Sequence, residues 1–366
     1  MARKTLITVT QLFGMLFVSR MVVNITYNPF MASDGEIWDH MLSAVGAFLL
    51  TFVLVIPVYL LYRRYPRMSI TEDAYYLMGK AAFLVVGVYA LYFLLVSCYT
   101  LSLFNVFVTN VMSPKVSLVV LSIAVTATAC YGAFKGIEAL ARTSGLVLIG
   151  ICAALVFLVC ALAPRMEMDN FPPLMYNGPK STVNGVLLML SRTSSVPVLA
   201  MLLPFAKGNA KKGIAVWNTV TYLSIAGLIT VMVGALGDFL KTQIFPIYAA
   251  TSIAEIGIFK RMDALFLGIW TMGLFIKLAL FLLLFSMCVA HMLGRKAGRI
   301  SILVGGALVA AAGVWVADSR ELARSIYDLR FLLVATLLTS IVLPVLLLIV
   351  DSIKKRRKGN KRETEA

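Results

Sequence analysis

Charge is scarce in this sequence, and negative charge scarcer still. Charged residues make up 14% of 366, with 17 Asp and Glu against 33 Lys and Arg, while 60% are hydrophobic. A soluble domain of this length would be left with large exposed apolar patches, which excludes that class. The five cysteines, Cys98, Cys130, Cys152, Cys160 and Cys288, form no CxxC pair and no Cys/His cluster. Neither His40 nor His291 has a partner at metal-ligand spacing. There are no paired carboxylates, no nucleophile triad and no phosphate loop, so an enzyme is not expected, nor any cofactor or metal. A basic soluble domain with interleaved aromatics is missing too, which removes nucleic acid as a partner. The apolar runs are continuous, without the alternating polarity of barrel strands.

What is present is a series of long apolar runs. Spans are predicted at 5–29, 39–62, 81–109, 116–133, 141–163, 183–206, 214–237, 264–291, 301–317 and 331–350. About 20 apolar residues cross a bilayer as one helix, so the chain reads as a single all-α polytopic membrane domain over 1–366. The first run is read as a span, since it is too long for a cleaved leader and contains Arg20. Ten spans put both termini on one side. Lys and Arg concentrate in the loops of that side and in the tail 351–366, which contains KKRRKGNKR. Both termini are therefore expected in the cytoplasm, and the tail is also suited to anionic lipid head groups. On the opposite side, residues 164–180 read as an irregular lid, and 238–263 as semi-apolar helices lying over the outer mouth.

Two halves, 1–163 and 183–350, each hold five predicted spans. Because five is odd, the second half enters the membrane in the opposite direction, which makes an inverted repeat by topology. Ser19-Arg20 interrupts the first span and Ser191-Arg192 the sixth. Paired interruptions at matching places point to broken helices around a midplane site, the LeuT-like five-plus-five architecture.

Arg20, Arg192 and Lys277 lie within spans, whose interiors carry no Asp or Glu. Intramembrane cations normally pair with one another, with carbonyls or with water. An anionic ligand group such as a carboxylate is one natural partner for the arginines. The alternative is that they snorkel or bridge carbonyls of unwound backbone. Lys277 has the chemistry to exchange a proton, or to put its ammonium where a coupling cation would sit. It is equally suited to a structural role reaching carbonyls. In the third span Tyr89, Tyr92, Phe93 and Val96 share one helix face, with Tyr99 beyond. That face is suited to walling a small-molecule cavity or to plain core contact.

Several short segments, in order, resemble the spore-germination permease family, a branch of the amino acid–polyamine–organocation superfamily. They are VTQLF before span one, Pro29, Trp38, RRYPRMSI with MGK, KGIEALAR, FPPL, Pro204, and FPIY with FKRMDALFLGIW. The resemblance implies a ligand pocket between spans one, three, six and eight. It would fall near Val22, Val23 and Asn24, Tyr89 and Phe93, Ser194 and Ser195, and Ile276 with Lys277. Where many relatives have a Gly-x-Gly break in span one, this chain has Val22-Val23-Asn24, and where relatives often carry an acid in span six it has Val198. By the same resemblance, the chain is expected to be the B subunit of a spore germinant receptor in the inner membrane, sensing a small amino acid with A and C subunits. A proton- or cation-coupled amino acid transporter is the rival reading, and a scaffold for partner subunits a third.

Overall fold

In the computed structural model the described residues are 7–25, 38–112, 116–171, 173, 175, 178–255, 263–319, 321–322 and 330–364. A two-residue strand, β1 (Ile7–Thr8), leads into α1 (Val9–Ile25). Then follow α2 (Asp39–Arg64), the short α3 (Ile70–Met78) and α4 (Ala82–Phe107). Next come α5 (Leu118–Leu162), α6 (Gly178–Ser191), α7 (Ser195–Leu202) and the strand β2 (Ala206–Lys207). After these are α8 (Ala210–Leu236), α9 (Pro246–Ile253), α10 (Asp263–Leu293) and α11 (Arg295–Asp318). Finally α12 (Arg330–Leu337) passes through a π turn, Leu338–Val342, into α13 (Leu343–Thr364).

Among the described residues, eight helical segments are long and apolar enough to cross a membrane, and Val9–Asn24 is a shorter apolar helix. Large apolar side chains face outward along them; Leu84 and Leu146 are each 74% exposed. Water would penalise such a surface, whereas lipid tails match it. The protein is an integral membrane protein.

The sixth predicted span is broken as expected: α6 stops at Ser191 and α7 begins at Ser195. The first is not. Helix α1 runs unbroken through Ser19-Arg20 to Ile25, and residues 26–29 of that span lie outside the described residues. Arginine keeps its backbone N–H and is a good helix former, so a buried Arg marks a polar contact without marking a backbone break. Spans four and five are both contained in α5, joined through a kink at Gly136 (φ 82°, ψ −179°), a left-handed conformation that glycine adopts at no steric cost. The expected loop between them is thus a single hinge residue.

The predicted lid contains two single turns, Ala163–Arg165 and Met168–Asn170. It is tied to the end of α8, where Glu167 N and Asn170 Nδ2 both donate to Gly234 O. Arg165 pairs with Glu255 just beyond α9. Within 238–263, α9 rests on α1, α5, α8 and α10, while 256–262 lie outside the described residues.

At the other, basic end, β1 and β2 pair in parallel, Ile7 with Ala206 and Thr8 with Lys207, joining the start of α1 to the end of α7. There Asp351 is buried and accepts hydrogen bonds from Arg64 Nη1 (2.6 Å), the Tyr65 hydroxyl (2.6 Å) and Lys355 Nζ (3.0 Å). It clips α13 to the end of α2. The tail begins as a continuation of α13, helical to Thr364.

Helices α2 and α6 approach closely at Gly185. A Cβ built there would lie 2.3 Å from Ser43 Oγ and 2.9 Å from His40 Nδ1. Gly185→Ala is expected to wedge the two helices apart at a cost of about 1–3 kcal/mol, as overpacked contacts do. Thermal unfolding in detergent checks this, and an unchanged midpoint would show that the two helices yield freely there.

Candidate functional site

The break between α6 and α7 exposes backbone carbonyls that a continuous helix would have paired. The sequence around it, Ser191-Arg192-Thr193-Ser194-Ser195, supplies much of the replacement. Ser191 Oγ donates to Leu188 O (2.7 Å) and Thr193 Oγ1 to Met189 O (2.9 Å). From α12, Thr336 Oγ1 donates to Ser191 O (3.3 Å). From α1, Arg20 Nη2 donates to Met189 O (3.2 Å) and Nη1 to Arg192 O (3.4 Å). Arg20 therefore takes the carbonyl-bridging role, closing the open end of α6 from the neighbouring helix.

Arg20 and Arg192 are 4% and 3% exposed and Lys277 is 2% exposed, so none of the three points into lipid. The electrostatic neighbours of Lys277 are Arg20 and Arg192, both of its own sign. Its ammonium lies 5.7 Å from the centre of the Phe281 ring, and among the described residues no acid pairs with it. The Tyr99 hydroxyl lies near Arg192 and Arg20, and buried His40 also faces Arg192. Tyr99 extends the α4 stripe by three residues beyond Val96, so the spacing contained it. His40 carried no signal except its type.

The residues singled out from sequence fall into two groups. Arg20, Asn24 and Arg192 line one small cavity, of about 30 Å³, with Met189, Met232 and Ile247. Val22 and Asn24 line a second of about 30 Å³, beside Trp270 and again Ile247. Val22 O accepts the Trp270 indole N–H (2.8 Å), fixing α1 against α10. Buried Val23 follows Val22 on α1. Such volumes admit water but no amino acid. Residue Ile247, on α9, lines both and went unnoticed in the sequence because it sits in a semi-apolar stretch.

Tyr89 and Phe93 are elsewhere. Both are fully buried, and neither lines these cavities. The Tyr89 hydroxyl donates to Thr339 O, a carbonyl in the π turn between α12 and α13. Phe93 stacks edge-on against Phe281 (5.8 Å between centroids), the ring that Lys277 faces. Ser194 and Ser195 start α7, and Ile276 is buried beside Lys277. The two groups are linked through Lys277.

A family model described as "Spore germination protein" matches residues 6–317. Among solved structures the chain is similar to one titled "Substrate-bound outward-open state of a Na+-coupled sialic acid symporter". The TM-score is 0.61 and the identity 14%, covering 91% of this chain and 79% of that one. At that identity the likeness is one of fold alone. A curated relative, NADH-quinone oxidoreductase subunit N of Caulobacter sp. (strain K31), is 33% identical over 115 residues. That stretch is 30% of this chain and only 22% of the relative's length, a local similarity that identifies no family.

Proposed function

Since the chain belongs to the spore germination protein family, we propose that it is the B subunit of a germinant receptor, binding a small amino-acid-like nutrient near the membrane midplane. The observation that carries this reading is the gathering of Arg20, Arg192 and Lys277 at one buried place, with no acid paired to Lys277 among the described residues. A carboxylate-bearing ligand supplies the missing sign, and a guanidinium fork suits a carboxylate. The two cavities beneath Ile247 are too small for such a ligand, so binding requires a second, opened conformation. A nutrient then acts as a switch by binding the open form more tightly than the closed one. In this reading α9 and the lid are the moving cover.

The same reading has ten crossings in two inverted five-helix halves, 1–163 and 183–350, with the Gly136 kink separating the fourth from the fifth. Both termini and the basic tail lie in the cytoplasm, by the bias of Lys and Arg. The membrane is the inner one of a spore, and A and C subunits relay the signal. A second reading, cation-coupled amino acid transport, draws on the transporter fold.

Two measurements distinguish them. Arg192→Gln is expected to abolish nutrient-triggered germination in a strain dependent on this receptor while the protein still inserts; an unchanged response removes Arg192 from ligand recognition. Labelled amino-acid uptake in vesicles is expected to stay at background. Robust accumulation, with normal germination of a deletion strain, favours the transporter.

A further inference from the structure

A further cavity, near the basic end, shares no lining residue with the one that Arg20 and Arg192 line. It measures about 530 Å³ and opens between α1, α5 and α8 where β1 and β2 meet. One end of it is basic: Lys207 and Lys212 line it, and exposed Lys211 adjoins them. Among the described residues none of these three has an acid partner. The remaining wall is apolar, built from Phe13 and Phe17 of α1, Leu148 of α5, and Val216 and Val220 of α8.

Two features of this groove favour an anionic occupant. Helix α8 begins at Ala210 with lysines at its second and third positions and no acid in its first turn. A helix start carries partial positive charge, so two cations there are of the wrong sign unless an anion joins them. Further in, Trp217 lines the cavity and is 3% exposed, and its buried indole N–H has no hydrogen-bond partner among the described residues. An unpaired buried donor is costly, and an oxygen-bearing ligand would satisfy it.

We propose that this groove is a binding site for an anionic phospholipid. The phosphoryl head group sits against Lys207, Lys212 and the start of α8. A glycerol or ester oxygen accepts from Trp217, and an acyl chain follows the Phe13–Phe17–Val220 wall toward the lipid-facing surface. A free phosphate would satisfy the lysines yet leave the apolar wall bare, so the groove's composition favours the lipid. The same molecule touches both α1 and α8. Their contact is already tight at Gly213, where a Cβ would lie 2.4 Å from Phe13 Cε2. A seated lipid fastens the first helix to the bundle near the β1–β2 pair. The inference rests on the membrane location alone and stands whether or not the chain senses a nutrient.

The full chain, in phosphatidylcholine nanodiscs with or without phosphatidylglycerol, provides the test, read by unfolding midpoint and by lipid retained in native mass spectrometry. Phosphatidylglycerol is expected to stabilise the wild type. Lys207→Gln with Lys212→Gln is expected to weaken its retention roughly thirtyfold, from the attraction of two lysines near a membrane surface. Trp217→Phe, which keeps the ring and removes the donor, is expected to weaken it about fivefold. Lys80→Gln, an exposed lysine outside the groove, is expected to leave it unchanged. Equal loss in Lys80→Gln would mean diffuse surface attraction and overturn the site. Equal retention in the double variant would do the same. Full stabilisation by inorganic phosphate in phosphatidylcholine alone would make the occupant a free anion and overturn the lipid assignment.

Discussion

Arg20→Leu is expected to abolish the nutrient response and, alone among the substitutions at the cation cluster, to loosen the fold as well. The side chain donates to Met189 O and Arg192 O across the α6–α7 break. With leucine there, Arg192 O loses the Arg20 donor and Met189 O keeps Thr193 Oγ1 but loses the charged one, while an apolar chain fills the space. Hydrogen bonds from charged donors contribute about 1.5–3 kcal/mol in soluble proteins, and polar contacts inside membranes contribute less. A net loss of about 1–3 kcal/mol follows, seen as a lower unfolding midpoint in detergent. Arg20→Lys separates charge from shape, because an ammonium cannot reach two carbonyls as a planar fork does. It is expected to recover part of the stability and little of the response. If Arg20→Leu unfolds at the wild-type temperature, the carbonyls have found water, and the clamp has no structural weight.

That result bears on how far this molecule could be read from its sequence. The helical membrane class was plain from the apolar runs, and so was the break at Ser191-Arg192, where four hydroxyl side chains crowd a polar gap. Ser19-Arg20 looked the same on paper. The sequence shows that a guanidinium is buried but not where its partner lies. Here the partner is the neighbouring helix's open end, so one break accounts for two arginines. The Gly136 hinge was equally hidden, because a single left-handed glycine leaves the residues on either side helical. The α4 stripe was read correctly as one face, yet its direction depended on a π turn in α12–α13 that frees Thr339 O for Tyr89. No local pattern announces such a turn. The part of Ile247 in lining both small cavities was out of reach for a similar reason: α9 is short, and what it touches is decided by tertiary contact.

The opposite stability outcome is expected at Lys277. Its ammonium is buried, faces an aromatic ring, and has two guanidinium groups as its electrostatic neighbours. Like charges brought together away from water repel strongly. Nothing among the described residues offsets this with an acid, so the lysine is a net cost in this structure. Lys277→Met keeps the length and removes the charge. Replacing a buried ionic group by an apolar one of similar volume is commonly neutral or stabilising by about 1–4 kcal/mol, so the unfolding midpoint is expected to rise. The nutrient response is expected to vanish, because the proposed site loses one of the three charges it would offer a carboxylate. Such a trade is characteristic of a site whose strain serves a switch: the closed state is held below its best stability so that a ligand can draw it open. A fall in the midpoint would instead make Lys277 a structural donor to backbone carbonyls. A stable variant with an intact germination response would take the lysine out of ligand recognition and leave the two arginines to act alone.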